Sequence, residues 1–221
     1  MDTGNFDSTA LILYGGGGHG KTLIDLVRVS GVYRIVGILD DGISAGTTVM
    51  GLPVLGGAEM LPELYRQGVR LAINGVGGIG NVDVRLKIFE TLKQAGFTCP
   101  TLVHPTAWVE SSAELGAGVQ VLAQSYVSSE VRIGFGTVLN AGVVVSHDCI
   151  IGQVVNLSPG AMLAGGVRVE DYAQIGMGAT INLNLTIGGR ARVGNGATVK
   201  ADVPAGTVVR AGTIWPKGQA L

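Results

Sequence analysis

The second half of the chain carries an aliphatic residue at every sixth position. Four residues after each of these aliphatic positions stands a mostly small or aliphatic residue, as at Ala113, Ala161 and Ala173. This period predicts stacked coils of three six-residue faces, with the aliphatic side chain inside and the small one at the corner. Sixteen repeats give about five coils. The series contains only isoleucine, leucine and valine, without an insertion: Val109, Leu115, Val121, Val127, Ile133, Leu139, Val145, Ile151, Leu157, Leu163, Val169, Ile175, Ile181, Ile187, Val193 and Val199.

Glycine often follows the aliphatic residue of this repeat. We expect these glycines to supply turn conformations that other residues resist. The alternative is that the six-residue period arises by chance in an ordinary β protein. Sixteen matches in one frame argue against this. The glycines in question are Gly116, Gly134, Gly152, Gly176, Gly188 and Gly194.

The first hundred residues follow a different rhythm, in which short apolar runs alternate with stretches of helical periodicity. Strands are predicted over 10–14, 33–40 and 70–73, and helices over 21–30, 57–67 and 81–95, the last ending at Gly96. This alternation predicts a small parallel sheet with helices packed on it. The chain is therefore expected to form an α/β domain over 1–103 and an all-β coil over 104–221.

Composition narrows the class of protein further. The net charge is -1, which gives no reason to expect nucleic acid as a partner. Hydrophobic residues reach 47%, yet no apolar run is long enough for a membrane span, and no signal peptide is recognised. The 37 glycines fit a fold with many tight turns. Cys99 and Cys149 form no metal-binding pattern, so we expect free thiols in a cytoplasmic protein.

Four stretches together resemble a known family, and the resemblance covers nearly the whole chain. They are GGGGHGK (15–21), LDD (39–41), LVHPTA (102–107) and SHDCIIG (146–152). The chain resembles the sugar O- and N-acetyltransferases, many of which acetylate an amino group on a nucleotide-linked sugar. The resemblance implies a Rossmann-like N-terminal domain, a left-handed β-helix, acetyl-CoA as cosubstrate, no metal, and a homotrimer with active sites between subunits.

His147 and Asp148 are the candidate catalytic pair. His147 occupies the third position of its hexapeptide, so the frame does not point its side chain into the core. A neutral imidazole can take the proton of an attacking amine, and a nearby carboxylate can fix its tautomer. From the residues alone, an exposed pair on a turn remains open. In the family that this chain resembles, such a pair is the base and the group that orients it.

The resemblance also implies a set of cofactor-binding positions. Gly165 stands 18 residues after His147, one coil further on, where its N–H could meet a thioester oxygen. Met177 and Asn195 match further positions that contact CoA in the family. Asn156 replaces a second histidine of many relatives, and its amide can hydrogen-bond but cannot titrate. The C-terminal stretch 212–217 (GTIWPK) also departs from the family's Gly-x-Pro-Ala-Lys.

The glycine-rich stretch 15–22 fits two phosphate-binding patterns, G-x-x-x-x-G-K-[ST] and G-x-G-x-x-G. Asp40 ends an apolar strand about 20 residues further on, which favours a Rossmann-like nucleotide site over an NTPase. A tight turn without a ligand remains the alternative. The resemblance implies that the substrate is bound by Gly17, Gly18, His19, Asp40 and Asp41.

Several residues are interpreted as structural. His104 precedes a proline at the junction of the two halves and is interpreted as a linker residue. Arg85 and Lys87 are interpreted as surface charges, and Cys149 as core filler at a coil corner.

Four functions are compatible with this pattern to different degrees. The preferred one is N-acetylation of a nucleotide-linked amino-deoxysugar, and O-acetylation of a sugar such as a sialic acid uses the same base. A carbonic anhydrase on a similar coil would need three zinc-binding histidines, and the repeats contain only His147. The fourth is a scaffold that binds a nucleotide sugar without catalysis.

Overall fold

The computed structural model describes residues 6–216. The chain forms two compact units that separate after Pro100. This division falls just before the expected boundary at residue 103, because Leu102 and Val103 already pair with a strand of the coil. Lys217, the last residue of the departing C-terminal stretch, lies outside the described residues. No helix within 6–216 has the length and apolar character needed to cross a membrane.

The N-terminal unit is a five-stranded sheet with helices. Its strands are ordered β3-β4-β2-β1-β5, and all neighbours are parallel except β3 and β4. The small parallel sheet predicted from the apolar runs is thus confirmed. Its elements are β1 (Ala10–Tyr14), α1 (Gly18–Ser30), β2 (Arg34–Leu39), β3 (Thr48–Val49), β4 (Leu52–Gly56), a 3-10 turn (Ala58–Met60), α2 (Leu61–Arg66), β5 (Leu71–Asn74) and α3 (Val82–Gln94).

Two details of this unit differ from the prediction. The hairpin of β3 and β4 was not expected, because its turn uses Met50 and Gly51 at φ 51° and 81° in place of the Asn-Gly pair typical of such turns. Pro53 also weakens the strand signal. Helix α1 begins at Gly18, three residues before the predicted start, so part of the glycine-rich stretch belongs to its first turn.

The C-terminal unit consists of two-residue strands, one for each face of a coil. Up to β22, neighbouring strands of a face pair in parallel at a separation of 18 residues, as Val127 does with Val145. The strands are β6 (Leu102–Val103), β7 (Trp108–Val109), β8 (Glu114–Leu115), β9 (Gln120–Val121), β10 (Tyr126–Val127), β11 (Arg132–Ile133), β12 (Val138–Leu139), β13 (Val144–Val145), β14 (Ile150–Ile151), β15 (Asn156–Leu157), β16 (Met162–Leu163), β17 (Arg168–Val169), β18 (Gln174–Ile175), β19 (Thr180–Ile181), β20 (Thr186–Ile187), β21 (Arg192–Val193), β22 (Thr198–Val199), β23 (Val208–Val209) and β24 (Ile214–Trp215).

These strands stack into three parallel sheets, which are the three faces of the coil. The first face contains β6, β9, β12, β15, β18, β21 and β23. The second contains β7, β10, β13, β16, β19, β22 and β24, and the third β8, β11, β14, β17 and β20. The last turn is shorter, because Val193 pairs with Val209 after 16 residues. The aliphatic series lines the interior, where Val127, Leu157 and Ile175 are fully buried.

Most glycines of the coil fall into two groups with different physical roles. Left-handed backbone occurs at the fourth position of the hexapeptide, with glycine at Gly160 (φ 68°) and a side chain at Asp148 (φ 61°). The glycines directly after the aliphatic residue have no positive φ. A Cβ on Gly134 would lie 2.6 Å from the carbonyl carbon of Gly152 in the next coil. The expectation of special turn conformations at these positions was wrong: they are required for close stacking of backbones.

Candidate active site

His147 and Asp148 form a hydrogen-bonded pair at a corner of the coil. They lie between β13 and β14, where the second face meets the third. His147 Nδ1 and Asp148 Oδ2 are 2.7 Å apart, and the two side chains are 63% and 65% exposed. A carboxylate only accepts hydrogen bonds, so the proton resides on Nδ1. Nε2 of the neutral ring therefore keeps its lone pair, as a general base requires.

The backbone on both sides holds this pair in place. Asp148 adopts the left-handed conformation that aspartate tolerates better than most residues. Its N–H donates to the carbonyl oxygen of Ser129 in the preceding coil at 3.0 Å. The carbonyl oxygen of His147 accepts the N–H of Gly166 in the following coil at 2.9 Å. The pair is thus fixed by two neighbouring coils, although its side chains are exposed.

Gly165 lies directly against the His147 ring. A Cβ at residue 165 would be 2.5 Å from Cε1 and 2.7 Å from Nε2 of that ring, so any side chain there would push the imidazole away. The carbonyl oxygen of Gly165 accepts the N–H of Asn184 at 3.0 Å. No acceptor for its own N–H is found among residues 6–216, which leaves that donor available to a ligand oxygen. The structure thus brings Gly165, His147 and Asp148 together.

The remaining predicted cofactor-binding residues lie elsewhere in the coil. Met177 and Asn195 occupy the corner between the first and second faces, where the Met177 N–H donates to Asn195 Oδ1 at 3.0 Å. Asn156 lies on β15 of the first face and is 3% exposed. Its amide accepts from Asn140 at 3.3 Å and donates to Ser158 Oγ at 3.1 Å. Within one chain, none of these three residues shares the corner of His147.

The glycine loop, residues 15–20, connects β1 to the first turn of α1. The capping residue Gly17 provides no side-chain hydrogen bond, and the first turn contains no acidic residue. The N–H groups of this turn are therefore suited to binding an anion. A Cβ on Gly17 or Gly18 would meet nothing within 4 Å, so packing does not demand glycine at these two exposed positions. Half-buried His19 follows them in the same turn.

Asp40 holds the glycine loop through hydrogen bonds with backbone amides. Its Oδ2 accepts the N–H of Gly16 at 2.7 Å, and its Oδ1 accepts those of Gly42 and Ile43 at 2.9 and 3.0 Å. Both oxygens are therefore engaged by backbone, in a geometry that organises the loop. Asp41 is more exposed, and its carboxylate accepts from the Tyr14 hydroxyl at 3.0 and 3.1 Å. Burial, followed by this hydrogen bond, raises the pKa of Tyr14 to about 12.

The sequence interpretation missed two residues of this region. Tyr14 ends an apolar run, and nothing in the run distinguishes its hydroxyl from a core side chain. Arg85 was expected at the surface, and this was wrong: it is 1% exposed, and its guanidinium donates to the carbonyl oxygen of Val76. A charge in a helix is usually solvated, and only the packing of α3 on the sheet shows the exception.

Other features add little to the site. Cys149 is buried in the coil interior, as expected, and Cys99 is also a buried free thiol. Nδ1 of His104 lies within hydrogen-bond distance of Thr106 N and Oγ1. A cleft of about 620 Å³ on the third face, beside Arg168 and Tyr172, contains none of the predicted site residues. No group of three or more potential metal ligands occurs within residues 6–216.

Comparison with known proteins finds similar chains over nearly the whole sequence. The model of the PglD N-terminal domain matches residues 10–92. A variant of perosamine N-acetyltransferase from Caulobacter crescentus, solved with CoA and GDP-perosamine, is 33% identical with a TM-score of 0.86, over 91% of this chain and 93% of that one. The acetyltransferase domain of PglB from Neisseria gonorrhoeae FA1090, solved with acetyl coenzyme A, is 32% identical with a TM-score of 0.83, over 92% and 97%.

A curated relative gives a shorter match. UDP-N-acetylbacillosamine N-acetyltransferase of Bacillus subtilis (strain 168) is 32% identical over 116 residues, and the match spans about half of each chain. These relatives identify an acyltransferase, and its fold is a small α/β domain followed by a left-handed parallel β-helix. The chain belongs to the hexapeptide-repeat sugar acetyltransferase family, beside the N-acetyltransferases of nucleotide-linked amino sugars.

Proposed function

We propose that this protein transfers the acetyl group of acetyl-CoA to the amino group of a nucleotide-linked amino-deoxysugar, with His147 as general base. The observation that carries this proposal is the 2.7 Å pairing of His147 Nδ1 with Asp148, which leaves Nε2 available to accept a proton. The relatives with over 90% coverage include one solved with CoA and GDP-perosamine, which supports both substrates.

The reaction needs no covalent acyl-enzyme. The neutral amine attacks the thioester carbonyl carbon, and His147 Nε2 takes the proton that the nitrogen loses. Asp148 stabilises the imidazolium that forms. The C–S bond then breaks, and the proton passes from the imidazolium to the departing CoA sulfur. The Gly165 N–H is the candidate donor to the carbonyl oxygen, which becomes negatively charged during the attack.

The N-terminal unit is proposed to bind the nucleotide part of the sugar substrate. The first-turn amides of α1 suit a diphosphate, and the open space around Gly17 and Gly18 leaves room for one. Asp41 offers a carboxylate oxygen to a hydroxyl or N–H of the nucleoside, while Asp40 keeps the loop in shape. His19 lies in the same turn and completes the proposed contacts.

We also propose a homotrimer in which neighbouring subunits complete each active site. The two corners that carry the predicted cofactor residues flank the second face of the coil. That face exposes apolar side chains, with Trp108 64%, Met162 46% and Tyr126 36% exposed. Packing these faces around a threefold axis would bury them and bring Met177 and Asn195 of one subunit towards His147 of the next. The free thiols fit a cytoplasmic location.

The first experiment measures CoA thiol release with UDP-, GDP- and dTDP-linked 4-amino sugars, for the wild type and His147→Ala. We expect turnover of one sugar and its loss in the variant, with an N-acetyl product that resists hydroxylamine. A hydroxylamine-sensitive product would assign O-acetylation. Tight binding of a nucleotide sugar without turnover would assign a binding scaffold.

A mixing experiment tests the shared active site. His147→Ala removes the base from one corner, and Met177→Trp blocks the other corner with a bulky side chain at an exposed position. Neither variant should be active alone. Co-expression should restore about a quarter of the sites, since half of the subunits keep each corner intact in randomly mixed trimers. No recovery in mixed trimers of the correct mass would show that the corners do not act together between subunits.

A further inference from the structure

Arg85 is a buried charge that the reaction described above does not use. It lies on α3, and burial lowers the pKa of its guanidinium to about 10, so it remains protonated at neutral pH. Its guanidinium carbon lies 5.5 Å from the ring centroid of Phe89. Removing a charge from water is costly, and an apolar side chain would fill the same space without that cost. A specific contact must therefore account for an arginine here.

One such contact is with the carbonyl oxygen of Val76, in the loop that follows β5. Residues 75–80 are termed the β5 loop. The Val76 N–H donates to Asn74 Oδ1 at 3.1 Å, and the Val76 carbonyl oxygen accepts from the Arg85 guanidinium. Asn74 Nδ2 donates in turn to the backbone carbonyl oxygen of Arg85 at 3.1 Å. Both polar groups of the Val76 backbone are thus held by buried side chains, and the Asn74 side chain is tied to the backbone of Arg85.

The β5 loop packs directly against the glycine loop. A Cβ on Gly15 would lie 3.0 Å from the carbonyl carbon of Gly75 and 3.2 Å from Cγ2 of Val76. Further along, a Cβ on Gly77 would lie 3.6 Å from Cβ of His19. A side chain at Gly15 would be crowded by the β5 loop, so the two segments are closely packed at this point. A displacement of Val76 must therefore move Gly15, and with it the turn that begins α1.

We infer that Arg85 is a positioning residue for nucleotide binding: through the Val76 carbonyl it holds the β5 loop, and the β5 loop holds the glycine loop in its anion-binding shape. This inference rests on the proposed function, because it assumes that the nucleotide part of the substrate binds at the glycine loop. Arg85 itself touches no substrate. Its loss should weaken binding of the nucleotide without changing the chemistry at His147.

The test measures binding of UDP, GDP and dTDP to the full-length chain by isothermal titration calorimetry. The variants are Arg85→Met, which removes the donor, and Arg85→Lys, which keeps the charge but loses the planar fork. Arg70→Met is the matched control. Arg70 donates to the carbonyl oxygens of Tyr65 and Val69 at the opposite end of β5, so its loss removes similar contacts far from the loops.

With the nucleoside diphosphate that the wild type binds best, Arg85→Met should raise Kd about tenfold or more. The Kd of Arg85→Lys should lie between those of the wild type and Arg85→Met. Arg70→Met should bind the diphosphate like the wild type, even if its Tm is lowered. In the acetyl transfer assay, the KM for the nucleotide sugar should rise in Arg85→Met, while kcat and the KM for acetyl-CoA stay constant. This split distinguishes positioning from a general loss of stability.

Three results would overturn the inference. One is an unchanged Kd in folded Arg85→Met, or in folded Arg85→Lys if the methionine variant does not fold. Another is an equal loss of binding in Arg70→Met. The last is measured on the wild type alone: hydrogen exchange in residues 75–80 should slow when the diphosphate binds, and no change there would contradict the role of the β5 loop. If the wild type binds none of the three diphosphates, the proposed function itself fails.

Discussion

In the coil, the surroundings of His147 come from residues 18 positions away in the same repeat, whereas the glycine loop is held by side chains from other elements. Gly165 and the backbone of Ser129 are the neighbours of His147 and Asp148 that the repeat itself provides. Asp40 and the β5 loop reach the glycine loop from the ends of two other strands. The coil site is therefore robust to distant change, and the loop site depends on several remote contacts.

The comparison also separates two kinds of kinetic effect. In the proposed function, residues at the His147 corner act on the acyl transfer step, so their substitution should lower kcat. The residues around the glycine loop are proposed to act on substrate binding, so their substitution should raise the KM for the nucleotide sugar. The four predictions below test this division between effects on kcat and effects on KM.

The largest effect is expected from His147→Ala. Loss of the general base should lower kcat by about a hundredfold to ten-thousandfold, with little change in the KM for the nucleotide sugar. Steady-state kinetics on the protein of unchanged oligomeric mass measures this. His104→Ala is the matched control, since His104 also lies in the coil unit and its ring contacts only nearby Thr106 in the described hydrogen bonds. Equal losses in both variants would remove His147 from the mechanism.

Gly165→Ala should have the second-largest effect. The added methyl group would occupy the place of the His147 ring, and a displaced base should cost about a hundredfold in kcat. Gly189→Ala serves as the control, because a Cβ there meets its nearest atom at an ordinary 3.4 Å. Full activity in a folded Gly165→Ala protein would show that the ring position is not set by this coil contact.

Asp40→Asn tests whether the Asp40 carboxylate keeps the glycine loop in shape. The amide nitrogen of asparagine cannot accept a hydrogen bond, so at least one of the Gly16, Gly42 and Ile43 N–H groups loses its acceptor. The KM for the nucleotide sugar should rise about tenfold, and the free energy of unfolding should fall by about 1–3 kcal/mol. Asp25→Asn, which alters an exposed ion pair with Arg28, should change neither quantity. A fall in kcat at unchanged KM would contradict the division between the two regions.

Tyr14→Phe should have the smallest effect, a loss of about 0.5–1.5 kcal/mol in the free energy of unfolding. The folded-state pKa of Tyr14 is raised from 10.0 to about 12, so the neutral hydroxyl stabilises the folded state below pH 10. That contribution is lost as the pH rises towards 12. The difference in stability between wild type and Tyr14→Phe should therefore shrink between pH 10 and 12 in denaturant unfolding, and a constant difference would exclude the titration. Tyr33→Phe is the control, as no hydrogen bond of the Tyr33 hydroxyl is found within residues 6–216.

The coil was more predictable from the sequence than the loop site, because a short repeat defines it. One inward aliphatic residue in six defines the faces, and stacking them buries Val145, Leu163 and Ile181 in one column. The same frame places His147 outside the core. It does not show that Gly165 contacts the ring, that the glycines after the aliphatic residues serve close stacking, or that the last coil is shorter.

The loop site was predictable only in outline. The alternation of strands and helices placed the glycine loop and Asp40 at one edge of a parallel sheet. The sequence alone could not show that Asp40 is engaged by three backbone amides or that Tyr14 donates to Asp41. It also could not show that Arg85 is buried. The Asp40–Gly16 and Tyr14–Asp41 contacts join segments that are distant along the chain, and the burial of Arg85 depends on how α3 packs.

The sequence by itself determined the two-unit organisation, the coil, the glycine loop and the His147–Asp148 pair, because each follows from short-range periodicity or from neighbouring residues. Only the tertiary structure decided which of the candidate residues meet. It placed Gly165 under the imidazole, and Met177 and Asn195 at another corner of the coil. It also buried the charge of Arg85 against the β5 loop. The reason is physical: a period determines the direction of a side chain, whereas a contact requires that two distant segments pack together.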